Sequence, residues 1–477
     1  MTDPSFFSDT IVAPATIPGT GAISIVRISG PDCFRIVDAV VQLRGGTISE
    51  AKAYSIHYGS VFSADGTLLD QVLVSVFRAP HSYTGEDSAE ISTHASAYIV
   101  QELVRLLLAA GGRFAQPGEF TQRAFLNGKM DLAQAEAVAD VISSTTSASH
   151  RVAMNQLKGS FSAELATLRE QLLEMASLLE LELDFSEEDV EFADRGKLLA
   201  LLDNALSHVD KLAASFRQGN LIKNGVPVAI VGPANAGKST LLNTLTGEDR
   251  AIVTDIPGTT RDTLEECISL GGILFRFVDT AGLRESDDKV EQLGIERSYK
   301  AVAGAEVVLF VVDASEDVDL LAEQISIVSD RLNFDAQKLF VLLNKADLKD
   351  ENGINKIVTY VNNNVSFIDD KVNVFLISAK SGEGIEELKS ALIDAEKTLL
   401  PPEDAVFITH SRHLEALQNA SSALSACRTS LTRCIPSDLV AEDLRRALSA
   451  INSILGTDLL DPDTILHDIF SKHCIGK

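Results

Sequence analysis

Gly232-Pro233-Ala234-Asn235-Ala236-Gly237-Lys238-Ser239 is the stretch on which the reading of this chain turns. It has the form GxxxxGK[ST] and follows the apolar run Val226 to Val231, which reads as a buried strand. The glycines let consecutive backbone N–H groups turn inward around phosphate oxygens. Lys238 can then reach the β- and γ-phosphates, and Ser239 can offer its hydroxyl to Mg2+. Thr240 to Leu245 continues as the helix whose positive end faces the anion. A nucleotide is therefore expected at Asn235, Ala236, Gly237, Lys238, Ser239 and Thr240.

Three further segments follow in the order that guanine-nucleotide switches need. Phe275 to Val278 reads as a strand leading into Asp279-Thr280-Ala281-Gly282, where the carboxylate can hold Mg2+ through water and the glycine N–H can sense the γ-phosphate. After a second apolar run, Val307 to Val312, a third, Leu339 to Leu343, ends in Asn344-Lys345-Ala346-Asp347. The Asp347 carboxylate can accept both N1–H and the exocyclic amino group of guanine. Adenine presents an acceptor and no amino group there, so the expected nucleotide is GTP. Phe375 to Ile377 leads into Ser378-Ala379-Lys380, whose backbone N–H can donate to the guanine carbonyl. The water-orienting glutamine that Ras-type enzymes place after the Asp-x-x-Gly turn is replaced by Leu283. Glu285, Asp287, Asp288 and Glu291 are the acidic alternatives downstream.

With 477 residues and 45% hydrophobic content, the chain has material for several cored domains. A formal charge of −27, from 41 basic and 68 acidic residues, argues against a surface made for indiscriminate phosphate-backbone binding. Nucleic-acid contact is expected to be local or shared with a partner. The cysteines, Cys33, Cys267, Cys427, Cys434 and Cys474, are scattered without CxxC spacing, so neither a disulfide framework nor a zinc site is suggested. The start of the chain has no basic segment before an apolar core, and no apolar run nears about eighteen residues. A cytoplasmic protein without a membrane span is expected.

Residues 1 to about 125 read as α/β, with strands at Ala22 to Ile28, Val72 to Phe77 and Glu90 to Thr93 and a helix at Ala97 to Ala110. Beyond that the pattern turns helical. Leu165, Leu168, Leu172, Met175, Leu179 and Leu183 form a stripe at three- and four-residue spacing. Helical periodicity resumes after Pro401-Pro402 through Leu439, Leu444, Leu448, Ile451 and Leu455 and stops at Gly456. One helical domain interrupted by the nucleotide domain is the expected organisation.

Several stretches carry a closer likeness: Asp9-Thr10-Ile11-Val12-Ala13, Val26-Arg27-Ile28-Ser29-Gly30, Ser82-Tyr83-Thr84-Gly85-Glu86-Asp87, the run from Pro117 to Lys129, and Cys474-Ile475-Gly476-Lys477. With the nucleotide loops they resemble the tRNA modification GTPase MnmE (TrmE) family over essentially the whole chain. The resemblance implies a multidomain fold, α/β and all-α. An N-terminal α/β tetrahydrofolate-binding and dimerisation domain would span 1–125. A helical domain, 126–222 and 399–477, would be interrupted by an inserted P-loop GTPase domain, 223–398, with a Ras-like parallel-rich sheet and helices on both faces. It also implies a homodimer that joins an FAD- and NADH-using MnmG (GidA)-type partner in an α2β2 complex. Together they would add a carboxymethylaminomethyl or aminomethyl group at carbon 5 of the tRNA wobble uridine.

By the same resemblance, hydrolysis is K+-dependent. Asn235, Thr254, Ile256 and Thr259 are the K+ contacts, the last three within the switch loop Thr254-Asp255-Ile256-Pro257-Gly258-Thr259-Thr260. Thr260 joins Ser239 on Mg2+, K+ takes the part of an arginine finger between two facing GTPase domains, and Glu291 orients the attacking water. The family places proline directly before the loop asparagine; here Pro233 lies one residue earlier, with Ala234 between. For 5-formyl- or 5,10-methylene-tetrahydrofolate the matching residues are Arg27, Glu86, Lys129 and Lys477. Basic groups there can pair with the cofactor's carboxylates, and Glu86 can accept two N–H bonds from the pterin. Cys474 can serve as nucleophile, acid or redox group, or be an idle thiol. Two other functions stay open: a ribosome-assembly GTPase, which should append a basic RNA-binding module, and a folate-dependent one-carbon transferase regulated by GTP.

Overall fold

The computed structural model describes residues 9–184, 195–233, 235–249, 266–278, 302–315, 318–330, 332–348, 372–402, 405–433, 435–457, 469–470 and 476. The chain divides into two compact units. One comprises Met1–Ala139, Gln156–Leu206 and Asn419–Lys477; the other comprises Asp140–Asn155 and Ser207–Gln418.

The first unit contains strands β1 (Ile11–Pro14), β2 (Gly21–Ser29), β3 (Val41–Leu43), β4 (Ser55–Phe62), β5 (Leu68–Phe77), β6 (Ser88–Ala95) and β7 (Arg113–Phe114). They form one seven-stranded sheet in the order β3-β4-β5-β6-β2-β1-β7, antiparallel except for the β1–β7 pair. One face is closed by the helices Cys33–Val40 and Ala97–Ala109. Their Phe34, Ile36, Val37, Leu103 and Leu107 bury against Val26, Ile28, Val72, Val74 and Ile91. Because strand side chains alternate, burying Val26 and Ile28 sends Arg27 to the other face, where the register sets it opposite Glu90.

In the helical part of this unit, Leu165, Leu168, Leu172, Met175 and Leu179 of the helix Ser160–Asp184 are fully buried, as their spacing leads one to expect. Leu183 lies beyond the side chains described there. The helix Ser437–Leu455 ends at Gly456, whose φ of 77° is the left-handed cap that glycine adopts without strain. Its buried stripe keeps Leu444, Leu448 and Ile451 of the expected one but differs at both ends, where Val440 and Ile454 are buried in place of Leu439 and Leu455. Leu439 is 56% exposed, and Val440 takes the inward position with Leu444, Ala447, Ile451 and Ile454. Starting the stripe at 440 keeps one face at three- and four-residue steps, which 439 does not.

The second unit is built on a six-stranded sheet of β8 (Val226–Val231), β9 (Glu266–Leu270), β10 (Ile273–Val278), β11 (Val307–Asp313), β12 (Lys338–Asn344) and β13 (Val372–Leu376), in the order β13-β12-β11-β8-β10-β9. All pairs are parallel except β9–β10. Parallel strands are covered on both faces and so read as unbroken apolar runs. One face packs Val228, Leu309, Phe340 and Leu342 against Leu241, Leu388 and Leu392; the other packs Ala229, Val308, Phe310 and Val341 against Leu321 and Ile325.

Residues flanking this sheet are pinned by a polar cluster around the buried Asp140. Lys223 Nζ lies 2.7 Å from Asp140 Oδ1, and His410 Nε2 lies 3.0 Å from Oδ2. Burial by itself raises the Asp140 carboxyl. The hydrogen bond and charge of His410, with those of Lys223, outweigh burial and hold the group at about 2. A carboxylate lowered in the folded state adds stability above its unfolded value of 3.8, and that stability is lost as pH falls through about 2. Asp140→Asn should therefore flatten the pH dependence of unfolding free energy between these values, by on the order of 2 kcal/mol. Chemical denaturation of the two proteins across that range checks it.

Candidate functional site

The nucleotide loops emerge at the carboxyl ends of β8, β12 and β13, the edge at which open parallel sheets bind ligands. Gly232 has a φ of 147°, and a Cβ there would stand 2.0 Å from Val311 O, so only glycine lets the loop leave β8 this close to β11. Gly237, at φ 97°, is held to the same choice by Asn344 Nδ2, 2.2 Å from where its Cβ would be. Asn235 also has positive φ, 60°, and is exposed. Lys238 opens the helix Lys238–Asp249, with Ser239 and Thr240 exposed in its first turn. Burial lowers the Lys238 ammonium from the usual lysine value. Its Nζ donates to Gly232 O at 2.8 Å and Pro233 O at 2.6 Å. A desolvated cation held over a loop of N–H groups gains from an anionic partner.

Asn344 joins the loops to one another. Its Nδ2 donates to Ala236 O at 2.7 Å and its Oδ1 accepts from Ala379 N at 2.9 Å, while the residue is 3% exposed. Thr244 Oγ1 adds a bond to Ala379 O at 2.7 Å. Lys345 Nζ lies 2.6 Å from Asp313 Oδ2. Asp347 and Lys380 are exposed, and Ser378 is fully buried, with its N–H on Glu383 O. Thus Ala236, Gly237, Asn344 and Ala379 are brought together, with Lys238 and Asp347 on the loops they anchor. Ala234, Thr254, Asp255, Ile256, Pro257, Gly258, Thr259, Thr260, Asp279, Thr280, Ala281, Gly282, Leu283, Glu285, Asp287, Asp288 and Glu291 lie outside the described residues.

A second charged constellation occupies the first unit. Arg27 donates from Nε and Nη2 to Glu90 Oε1 at 3.0 and 2.8 Å and from Nη1 to Gly476 O at 3.1 Å, and its guanidinium sits over the rings of Tyr83 and Phe120. Arg27 therefore already has a carboxylate partner within the chain. Glu86 accepts from Ser29 Oγ at 2.7 Å and from Arg123 Nη1 at 3.2 Å. Lys129 Nζ reaches Pro80 O at 2.9 Å. Lys477 and Cys474 lie outside the described residues.

Sequence reasoning did not single out the centre of this constellation, Arg123. It is fully buried and also bonds Asp9 Oδ1 at 2.7 Å and Glu119 Oε1 at 3.1 Å. Burial raises Asp9 and Glu119, but bonds from Arg113 and Arg123 outweigh it and leave both below the usual carboxylate range. The available signal was the i,i+4 pair Glu119 and Arg123 on the short helix Glu119–Leu126, whose other inward residues are apolar or small.

Two known families match different parts of the chain. The MnmE helical domain family matches residues 132–474, and the family described as GTP-binding protein TrmE N-terminus matches residues 10–129. The chain is 47% identical over 473 residues to the tRNA modification GTPase MnmE of Bacteroides thetaiotaomicron, covering 98% of this chain and 99% of that one. It is 46% identical over 474 residues to that of Flavobacterium psychrophilum, covering 99% and 100%. Among solved structures, a GTP-binding protein from Sulfolobus solfataricus in complex with GDP is similar at a TM-score of 0.28 and 18% identity, over 49% of this chain and 67% of that one. At that score the likeness decides nothing, and the fold rests on the strand order above.

Asn344→Ala would leave Ala236 O and Ala379 N–H without their buried partner and free Gly237 from its neighbour. Guanine nucleotide affinity should fall by about one to two orders of magnitude, measured with a fluorescent GDP analogue.

Proposed function

The chain belongs to the tRNA modification GTPase MnmE family and is a GTP hydrolase, and from that premise we propose that it modifies carbon 5 of the tRNA wobble uridine. The group added is carboxymethylaminomethyl or aminomethyl. Its one-carbon unit comes from a tetrahydrofolate derivative, and an MnmG-type partner contributes FAD and NADH. The observation that carries the nucleotide half is the Asn344 bridge between the phosphate loop and the base-side loop at Ala379. Likeness over nearly the whole chain, rather than over the nucleotide loops alone, supports the tRNA half. We place the protein in the cytoplasm as a homodimer within an α2β2 complex. Among the described residues no helix is long and apolar enough to cross a membrane.

In this reading the four sequence segments, 1–125, 126–222, 223–398 and 399–477, are a folate domain, two parts of a helical domain and the inserted GTPase domain. Asp347 reads the guanine edge. Lys238 and the N–H groups from Asn235 to Ser239 hold the phosphates. Ser239 and Asn235 offer oxygen donors at the first turn and the positive-φ bend, which suit the hard ions Mg2+ and K+. When bound, these ions supply positive charge against the transferring phosphoryl group. Thr254, Ile256 and Thr259 complete the K+ contacts, Thr260 joins Ser239 on Mg2+, and Glu291 orients the attacking water. Arg27, Glu86, Lys129 and Lys477 hold the folate, and Cys474 stands beside it.

GTP hydrolysis should be about a hundredfold slower in Na+ than in K+ if the monovalent ion stabilises the transition state. Equal rates in a phosphate-release assay would remove K+ from the mechanism. Incubation with the flavin partner, GTP, K+, NADH, glycine or ammonium and one-carbon-labelled methylene-tetrahydrofolate should place label in the wobble uridine, read by mass spectrometry of tRNA nucleosides. Unlabelled tRNA in the presence of confirmed partner binding and GTP hydrolysis would overturn the substrate.

A further inference from the structure

We infer that Ser29 and Arg123 are positioning residues that fix the Glu86 carboxylate so that its remaining acceptor sites face a paired N–H donor, the edge a pterin presents. The inference rests on the folate reading above and deepens it by two residues that act through Glu86.

Glu86 lies on the irregular loop between β5 and β6, where no helix or strand limits its rotamers. Two surrounding side chains, Ser29 and Arg123, do so instead. Ser29, at the end of β2, is fully buried, and its Oγ lies 2.7 Å from Glu86 Oε2, 2.7 Å from Thr84 Oγ1 and 3.0 Å from Ser88 Oγ. A carboxylate only accepts, so the single Ser29 proton goes to Glu86, and Thr84 and Ser88 must donate to Ser29. Thr84 Oγ1 in turn accepts from the Glu86 N–H at 3.2 Å, which closes the set. Arg123 Nη1 reaches Glu86 Oε1 at 3.2 Å and Oε2 at 3.4 Å, while also donating to Asp9 O at 3.0 Å.

That sharing matters. Arg123 and Arg113 face three carboxylates, those of Asp9, Glu86 and Glu119, so this cluster keeps an excess of acceptor. Asp9 takes short bonds from both arginines and Glu119 a short one from Arg113, whereas Arg123 meets Glu86 only at 3.2 and 3.4 Å. Of about four acceptor positions on a carboxylate, Glu86 has one filled well, by Ser29, and the remainder filled weakly. Its side chain is 15% exposed, enough for a ligand edge to reach it. A fixed carboxylate whose acceptor sites are only weakly filled is preorganised for a two-donor ligand, which spares the rotamer cost of binding.

The test is a double-mutant cycle on binding of 5-formyl-tetrahydrofolate to the full chain by calorimetry, with thermal melting as the check on folding. Arg123→Ala would leave three carboxylates without their buried partner and could prevent folding, so the decisive variant is Ser29→Ala. Arg123→Lys, which keeps the charge and loses the fork, serves as the companion. Ser29→Ala should bind the folate about tenfold more weakly than the unsubstituted protein. In a Glu86→Gln background the same change should have little further effect, because its action runs through the carboxylate. An additive effect in that background, or unchanged affinity of Ser29→Ala and Arg123→Lys, overturns the inference and leaves the folate reading standing. No folate binding by the unsubstituted protein, or undiminished binding by Glu86→Gln, overturns both.

Discussion

The Asn344 side-chain amide ties the phosphate loop to the base-side loop, and the geometry of the nucleotide site depends on it. One atom donates to Ala236 O and the other accepts from Ala379 N–H, so a single buried residue at the end of β12 sets the spacing between the two loops. The constraint propagates. Gly237 must lack a side chain because Asn344 occupies the space, and Gly232 must lack one because β11 does. A buried amide with both ends satisfied is rigid, and a partly satisfied one would be costly, so the bridge fixes a conformation rather than merely adding a contact. Beneath it, strands buried on both faces supply the stiffness that lets short loops hold these positions.

How much of this could be read beforehand follows from where the information lies. Val226–Val231, Val307–Asp313 and Lys338–Asn344 were legible because a strand covered on both faces needs an unbroken apolar run. Strand β4 was not, because its alternation is inverted. Ile56 is 68% exposed, while the positions that face inward are held by Gly59 and Val61. Gly59 is there because β3 pairs alongside it so closely that a Cβ would stand 2.7 Å from Val41 Cγ1. Neighbours of that kind are set by the sheet, not by local pattern.

The sites divide the same way. The phosphate loop and Asn344-Lys345-Ala346-Asp347 are contiguous, and their spacing carries their chemistry. The Arg123 constellation gathers Asp9 from 114 residues away, and Ser29 meets Glu86 across 57. No local spacing encodes such contacts. Arg27 is a further case: its partner Glu90 is 63 residues away and is brought opposite it only by the pairing of β2 with β6.

Charge links the two halves of the proposed activity. A chain of net charge −27 can still bind a nucleotide, because the phosphate loop meets its anion with backbone N–H groups, a helix end and one lysine. A long polyanion is a different demand, since it needs many cations spread over a surface. In the described helices several exposed basic residues are matched by an acid one turn away: Arg35 by Asp32, Arg105 by Glu102, Arg445 by Glu442 and Arg446 by Asp443. Phosphate contact at these sites would have to compete with carboxylates already in place. Within the proposed activity, the pairing therefore favours a division of labour in which a partner carries much of the RNA contact.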